Sequence, residues 1–337
     1  MKRIVALCVC LFLLMGVVSV FAGGGGQSQQ GAAKKYEVSL GSSYDRAAPP
    51  VVAALKFADE VKAATNGALT INVFSNSQIG TERELIAQVA ANEVEFSVTG
   101  ILLVDMYCPE FGFMSAPFLY KNMDHMKAVF NSPLGDKMKQ KFLANNINLI
   151  AEVWRGIRNT SSNRAIRTPD DVKGLKIRMT EMPSWIAVWR DGLGGTTIPI
   201  ALGELYTALQ TGVAEASEGP YEQLATFKFN EVQKYLVNTN HVMEWCMLLV
   251  SQKFLDSLPA DMRKIVNDKA RSVMTEYGSK LCDEKAEDFR QQLLKGGMEE
   301  INVNVPDFTN KLLPVYEKYF ADGTWTSSLK EVQSYAK

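Results

Sequence analysis

The sequence predicts an α/β fold made of two successive stretches of alternating strands and helices. Its 337 residues suffice for two domains of about 150 residues each. Segments with strand and helix patterns alternate from Tyr36 onward, and the alternation returns from Ile147. This order is typical of α/β lobes. No internal repeat and no long linker separates the stretches, so we expect two domains that share crossing segments.

The first stretch has the order β-α-β-α-β. Its predicted strands are residues 36–40, 69–74 and 96–99. Pro50 opens the first helix, and Asn66-Gly67 ends it, because glycine suits the left-handed position after a helix. Thr81 and Glu84 have the spacing of a capping box, which predicts the start of the second helix.

The second stretch repeats the alternation of strands and helices. Its first predicted strand is 147–152, and Pro169 after Thr168 opens a short helix. Leu175, Ile177 and Met179 then alternate with Lys176 and Arg178, which predicts a strand with Arg178 pointing away from the core. Further helices are predicted at 185–192 and 203–211 and over most of 254–295, where a single helix approaches ~50 Å.

The N-terminus has the pattern of a secretory signal peptide. Lys2 and Arg3 precede an uncharged apolar run, and Ala22 occupies a small-residue cleavage position. A transmembrane anchor is the alternative, but no basic stop-transfer cluster follows the run. We expect cleavage near Ala22, a flexible tether over 23–35 and a periplasmic location, without direct membrane insertion afterwards.

The charge balance argues against nucleic acid as a partner. Loss of residues 1–22 removes Lys2, Arg3 and no acid, so the net charge goes from −1 to −3. Such a chain lacks the basic surface that nucleic acid requires. It also has no run of lysine and arginine for an anionic lipid surface.

Metal sites and cofactors are not expected. The two histidines, His125 and His241, lie far apart in sequence. Beyond residue 22 the cysteines are Cys108, Cys246 and Cys282, an odd number with no C-x-x-C motif, and buried thiols are the favoured interpretation. Their pairing is left open, although export permits disulfides.

The sequence also argues against an enzyme. It has no G-x-S-x-G motif, and a Ser-His pair would need one of the two histidines. The glycine-rich segment 192–197 follows a predicted helix rather than a strand, so it does not match a dinucleotide-binding fingerprint.

Two arginines remain as candidates for binding chemistry. Arg158 follows an apolar strand, and Arg178 alternates outward from another. A guanidinium can hold a carboxylate with two parallel hydrogen bonds. From composition alone, surface ion pairs are the commoner role, so both interpretations stay open at this point.

Four groups of motifs occur in order over nearly the whole chain. They are A-D-E-V (58–61), T-N-G (65–67), V-F (73–74), Q-I-G (78–80) and E-R-E-L (82–85); P-F-L-Y (117–120); G-I-R (156–158), Asn163 and T-P-D-D-V-K-G-L-K-I-R (168–178); and E-L-Y-T-A-L-Q-T-G (204–212), Glu218, Pro220, E-V-Q-K-Y-L (231–236) and T-N-H (239–241). With these motifs the chain resembles the DctP-type solute-binding subunits of tripartite ATP-independent periplasmic (TRAP) transporters.

The resemblance implies a two-lobed, periplasmic-binding-protein-like fold with a central cleft, crossing strands and a long connecting helix. We expect 36–154 with 244–283 to form lobe 1, and 155–243 with 284–337 to form lobe 2. It also implies that Arg178 holds the ligand's carboxylate and that Arg158 is a second ligand contact. The cleft would close around its ligand by a hinge motion.

One motif departs from the family's usual pattern. Glu218-Gly219-Pro220 stands where the family usually has E-N-P, so Gly219 lacks an amide that often contacts the ligand. This departure leaves room for a bulkier ligand. The further candidate ligand contacts are Glu218, Gly219, Trp154, Tyr44 and Ser43, and ordinary packing is the alternative for Trp154 and Tyr44.

The resemblance therefore predicts a periplasmic binding protein that passes a small organic acid to TRAP membrane permease subunits. A sugar acid, a dicarboxylate and a hydrophobic monocarboxylate all remain candidates for the ligand. A ligand-binding sensor component is one alternative function. A periplasmic hydrolase is another, disfavoured by the missing catalytic motifs.

Overall fold

A computed structural model describes residues 34–336 of the chain. The predicted signal peptide and all of the predicted tether except its last two residues lie outside the described residues. Nine strands in the described part form one sheet. They are β1 (Tyr36–Ser42), β2 (Leu69–Phe74), β3 (Phe96–Thr99), β4 (Ile147–Ser162), β5 (Lys176–Met179), β6 (Thr196–Pro199), β7 (Ala216–Pro220), β8 (Tyr235–Ser251) and β9 (Glu299–Asn302).

The α-helices of the described residues lie between and after these strands in the sequence. They are α1 (Pro49–Ala64), α2 (Glu82–Ala91), α3 (Leu102–Tyr107), α4 (Met123–Phe130), α5 (Pro133–Ala144), α6 (Pro183–Ala187), α7 (Leu205–Gln210), α8 (Tyr221–Thr226), α9 (Gln252–Ser257), α10 (Ala260–Lys269), α11 (Ser279–Lys295), α12 (Val305–Ala321) and α13 (Leu329–Ser334). Among the residues from 34 to 336, we find no helix with the length and apolarity that a membrane crossing needs.

Two long strands join the halves of the sheet. The strand order is β2-β1-β3-β8-β4-β7-β5-β6, and β9 adds to β8. Strands β4 and β8 run antiparallel along almost their whole length. Strand β3 pairs with the end of β8, whereas β7 pairs with the end of β4 and β9 with the start of β8. The predicted two-lobed α/β fold with crossing strands is therefore confirmed.

The crossing strands are irregular where they pass between the two halves of the sheet. Their register shifts between Trp154 and Gly156 and again between Arg158 and Thr160. Gly156 has φ of +112°, a conformation that glycine adopts far more easily than other residues. Bulges of this kind bend a strand and redirect its side chains. The predicted lobe boundaries at 154/155 and 243/244 fall in this region and stay a prediction.

Local signals predicted several of the helix and strand ends. Asn66 and Gly67 are left-handed just after α1, and the capping box of Thr81 and Glu84 starts α2. Strand β4 extends beyond the predicted residue 152 to Ser162, because its polar end is buried and shows no alternation. The long helix is confirmed over 260–295, where a π-helical segment, Ala270–Gly278, joins α10 to α11.

The apolar side chains form two large clusters. One is built around Trp185, Trp189 and Trp245, and the other around Phe57 and Phe96. The three described cysteines, Cys108, Cys246 and Cys282, are buried free thiols. Burial raises the pKa of each thiol, which keeps the cysteines protonated at neutral pH.

Candidate functional site

Arg178 is a buried arginine to which the described part of the chain supplies no ionic partner. Its neighbours in β5, Ile177 and Met179, enter the core, and its own side chain leaves the opposite face of the strand. Nε donates a 2.8 Å hydrogen bond to the carbonyl oxygen of Ile200. No other hydrogen bond and no ion pair of its guanidinium is found within residues 34–336.

The electrostatics of Arg178 reflect this isolation. Burial lowers its pKa to about 10; the negative charge of Glu218 counteracts the shift and the positive charge of Arg158 adds to it. The guanidinium thus stays charged at neutral pH. A desolvated cation without a counter-ion is unfavourable until an anion approaches it. This arrangement suits the capture of a carboxylate.

Arg158 is held very differently. Its Nε and Nη2 contact Glu218 at 2.5 and 2.8 Å, and its Nη1 contacts Glu244 at 2.7 Å. Burial alone would lower the pKa of Arg158, but the charges of Glu218 and Glu244 outweigh burial and raise it. The chain itself therefore supplies the carboxylates that this guanidinium binds.

Arg155 extends the same ionic network. Its Nε lies 2.5 Å from Oε1 of Glu222, and its Nη1 lies 3.1 Å from Oε1 of Glu244. The ring of Tyr44 packs on the guanidinium, 3.9 Å from ring centroid to Cζ. We call Arg155, Arg158, Glu218, Glu222 and Glu244 the ionic network. It joins β4, β7, α8 and β8 at the bulges of the crossing strands.

His241 contacts the ionic network at Glu218. Its Nε2 lies 3.3 Å from Oε2 of Glu218, and its Nδ1 lies 2.8 Å from Oγ1 of Thr239. A carboxylate only accepts, so Nε2 carries the proton of the neutral ring. Burial lowers the pKa of His241, and the imidazole is neutral at pH 7. Burial would raise the pKa of Glu218, but Arg158 and His241 lower it to about 2.

Arg178 lines two neighbouring cavities. The inner chamber, of about 30 Å³, is lined by Tyr44, Glu82, Gly100, Ile101, Leu102, Arg155, Arg158, Arg178, Thr180, Met182, Trp185, Leu202, Gln223 and Glu244. The outer chamber, of about 230 Å³, is lined by Ser43, Ser77, Thr81, Glu82, Arg83, Glu84, Leu102, Arg178, Thr180, Glu181, Ile200, Ala201 and Leu202. Five lining residues, Arg178 among them, are shared by the two chambers.

An ion pair closes one side of the outer chamber. Nε of Arg83, at the start of α2, lies 2.8 Å from Oε2 of Glu181, which follows β5. Nη2 of Arg83 also donates to the carbonyl oxygen of Glu181 at 2.9 Å. Both side chains are about half exposed, so the pair contributes at most ~1 kcal/mol.

The structure brings some of the predicted contacts together. Arg178, Arg158 and Tyr44 line the inner chamber, and Ser43 lines the outer one. Their roles as ligand contacts stay predictions.

Three other predicted contacts lie away from both chambers. The ring of Trp154 packs at 86° against Phe130, with ring centroids 5.3 Å apart. Glu218 is fully buried behind Arg158. At Gly219, an added Cβ would meet Nε2 of Gln223 at 2.6 Å, so the Gln223 amide occupies the space that a larger residue would need. Their roles as ligand contacts likewise stay predictions.

Sequence reasoning missed most lining residues of the inner chamber, and four of these carry a charge or a side-chain amide. Arg155, Glu82, Gln223 and Glu244 all line the inner chamber. Glu244 did carry a signal, because it is a lone acid within the apolar run of β8. A charged residue there must be paired, and its partners became visible only once β4 lay beside β8.

Taken together, these features define a ligand-binding protein of the two-lobed α/β class. It has a concave site at the crossing strands and a buried cation directed into it. Comparison with known proteins identifies the family. The model of the bacterial extracellular solute-binding proteins, family 7 (DctP), matches residues 40–322. The chain belongs to this family, the solute-binding proteins of TRAP transporters.

Individual relatives support this assignment. A solute-binding protein of Roseobacter denitrificans is 30% identical over 284 residues, covering 80% of this chain and 86% of the relative. The C4-dicarboxylate-binding periplasmic protein of Rhodobacter capsulatus is 28% identical over 250 residues, 74% of each chain. A TRAP solute-binding protein structure from Roseobacter denitrificans with bound L-galactonate has 28% identity and a TM-score of 0.82, covering 91% and 100% of the chains.

These relatives determine the broad function. They are substrate-binding proteins of transporters, so this chain is a binding protein and not an enzyme. The hydrolase alternative is thereby excluded. Proteins of this family are periplasmic and bind small acids.

Proposed function

We propose that this protein captures a small organic acid in its cleft, with Arg178 binding the carboxylate, and delivers it to TRAP membrane permease subunits. In this proposal the chain is exported to the periplasm, and its signal peptide is cleaved near Ala22. The relatives that bind galactonate and C4-dicarboxylates support an acid as the ligand class.

The isolation of Arg178 carries the proposal. A guanidinium that is 3% exposed and has no carboxylate partner in the described chain needs an anion from outside. Its free Nη1 and Nη2 suit the paired, charge-assisted hydrogen bonds that a carboxylate accepts. Because Arg178 lines both chambers, an acid bound to it would be enclosed on both sides.

Closure of the cleft is the second part of the proposal. Arg83 belongs to predicted lobe 1 and Glu181 to predicted lobe 2, so their ion pair would form as the lobes approach. The bulged segment around Gly156 is suited to act as the hinge. Closure would desolvate the carboxylate on Arg178 and strengthen that contact.

Binding and thermal unfolding test the proposal. The chain is refolded without carried-over ligand and titrated with sugar acids, dicarboxylates, 2-oxo acids and short alkanoates. An acid at about 100 times its dissociation constant should stabilise the fold by ~2.7 kcal/mol. Arg178→Ala should abolish this shift, while Arg190→Ala, at an exposed surface pair, should keep it. A full shift in Arg178→Ala would contradict the assignment.

A further inference from the structure

A third cavity adjoins the ionic network at Arg155. It measures about 280 Å³, and its walls come from the bulged part of β4, the end of β7, the start of α8, one residue of β8 and α11. Arg155 is the lining residue that this cavity shares with the inner chamber. Its guanidinium contacts Glu222 in the wall of the cavity and Glu244 in the wall of the inner chamber. The cavity is thus distinct from both chambers but borders the same ionic network.

The position of this cavity coincides with the irregular part of the crossing strands. Gly156 and Asn159 of β4 line it, and the register between β4 and β8 shifts before Gly156 and again around Asn159. Asn240 of β8 also lines it and has φ of +47°. We call this space the hinge cavity. A ligand in it would contact the segment about which the lobes are proposed to move.

Two side chains in the walls of the hinge cavity carry a buried polar atom without a partner. Oε1 of Glu222 accepts from Arg155, but Oε2 has no hydrogen-bond partner among residues 34–336. Oδ1 of Asn159 accepts from the backbone N–H of Asn240, but Nδ2 has no partner in that range either. Glu222 is 5% exposed and Asn159 is 1% exposed. Buried polar groups are almost always paired, so these two side chains indicate a place for a polar ligand group.

The charges around the hinge cavity favour a cation. Its lining acids are Glu222 and Asp283, whereas its lining base, Arg155, already contacts two carboxylates. Asp283 is exposed and has no ion pair within the described part of the chain, although Glu284 and Asp288 of the same helix each pair with a lysine. Burial raises the pKa of Glu222, and a cation in the cavity would oppose this shift by stabilising the carboxylate.

Much of the remaining wall is apolar. Ile157, Pro220, Ala286 and Phe289 line it, and the side chain of Ile157 is 38% exposed. An inorganic cation would leave this apolar surface in contact with water, whereas an organic cation would cover it. The volume of about 280 Å³ is near the lower limit of ordinary ligand sites, which restricts the occupant to a small molecule. An ammonium group suits the two acids, because it is a compact cation that donates three hydrogen bonds.

We infer that the hinge cavity is a second ligand site, which binds a small organic ammonium ion. The ammonium group lies between Asp283 and Glu222, and the apolar body of the ligand packs on Ile157 and Phe289. This site is distinct from the two chambers at Arg178, so it does not depend on the proposed function. An occupant would hold the bulged segment of β4 in one geometry and would therefore act on the hinge.

Calorimetry with 2-phenylethylammonium as the probe tests the site. The control 2-phenylethanol has the same carbon skeleton without the charge, and the control ethylammonium has the charge without the ring. We expect the probe to bind at least about tenfold more tightly than each control at pH 7, because only the probe satisfies both the acids and the apolar wall. Absence of binding, or equal affinity for the probe and either control, would overturn the inference.

Two exposed acids of α11 provide matched variants. Asp283→Asn removes a charge from the wall of the hinge cavity and should weaken binding of the probe about fivefold. Asp288→Asn removes a charge on the same helix that does not line the cavity, and it should leave the affinity unchanged. Ala286→Phe places a ring in the cavity and should abolish binding. Thermal unfolding verifies that the variants are folded, and an unchanged affinity in both Asp283→Asn and Ala286→Phe would contradict the assignment.

Hydrogen exchange determines where the probe binds. With 2-phenylethylammonium present, the backbone amides of 155–159 and 282–289 should exchange more slowly, and those of 176–184, at the two chambers of the cleft, should be unaffected. Protection only at 176–184, or no protection in any segment, would overturn the inference. None of these measurements uses an acid ligand, so a failure of the proposed function would leave their outcome unchanged.

Discussion

Arg158 and Arg178 lie in neighbouring parts of the same site and are equally buried, at 4% and 3% exposure. Their electrical surroundings are opposite. Arg158 has two carboxylates within 2.8 Å, whereas the residues from 34 to 336 offer Arg178 only the carbonyl oxygen of Ile200. The pKa of Arg158 is raised and that of Arg178 is lowered. Burial alone therefore does not distinguish the two arginines, whereas their counter-ions do, and this difference makes Arg178 the proposed ligand contact.

This difference separates two roles. The ionic network around Arg158 ties the crossing strands to β7 and α8, so it stabilises the framework of the site. Arg178 contributes no such tie. The buried charge of Arg178 makes the folded state less stable, and a bound anion would relieve this unfavourable free energy. Ligand binding would therefore increase the stability of the fold.

Arg158→Met should destabilise the protein strongly. It removes the cation shared by Glu218 and Glu244 and leaves buried negative charge uncompensated, which typically costs 3–5 kcal/mol. Guanidinium chloride denaturation at pH 7 measures the free energy of unfolding. A loss below about 1 kcal/mol would mean that the network is not structural.

Arg178→Met is the matched substitution at the unpaired arginine. Removal of a desolvated, unpaired cation relieves an unfavourable charge and loses one hydrogen bond to Ile200. We expect the ligand-free variant to be as stable as the wild type or about 1 kcal/mol more stable. The same denaturation experiment applies. A loss equal to that of Arg158→Met would erase the distinction between the two arginines.

The pH dependence of stability should show the effect of burying His241 beside the ionic network. Burial lowers its folded pKa below the ordinary value of 6.5, so below that pH the unfolded chain takes up a proton that the folded chain does not. Stability is therefore complete above pH 6.5 and falls as pH decreases below it. In wild type we expect a loss of ~1 kcal/mol from His241 between pH 6.5 and 5.

The two histidines of the chain allow a control. His241→Gln should flatten this slope, and His125→Gln should leave the His241 part in place, since burial lowers the pKa of His125 independently and the hydrogen bond to Val332 opposes that shift. Below pH 4.5 a second loss should begin, because the pKa of Glu218 is lowered to about 2. An unchanged slope in His241→Gln would contradict the proposed link to the network.

Much of the fold was predictable because its signals are local. The capping box at Thr81, the left-handed end at Gly67 and the alternation around Ile177 each depend on a few adjacent residues. The buried polar end of β4 was not predictable in the same way. Its burial depends on β7 and β8, which pair with it from more than 50 residues away.

The same distinction between local signals and contacts distant in sequence applies to the site. The outward direction of Arg178 followed from alternation in β5. The pairing of Arg158 did not, because Glu218 and Glu244 are 60 and 86 residues distant in sequence. For Gly219 the sequence suggested open space, yet Gln223 fills that position from α8. Contacts across the sheet, rather than propensities, determine which arginine is free.

The most direct measurement of the central claim is a calorimetric cycle. Wild type and Arg178→Met are each titrated with an aldonate and with its neutral amide, which differ only in the carboxylate charge. If Arg178 binds the carboxylate, the acid should be preferred at least about a hundredfold by wild type and hardly at all by the variant, a coupling of ~2–3 kcal/mol. An equal preference for the acid in both proteins would show that another group binds the carboxylate.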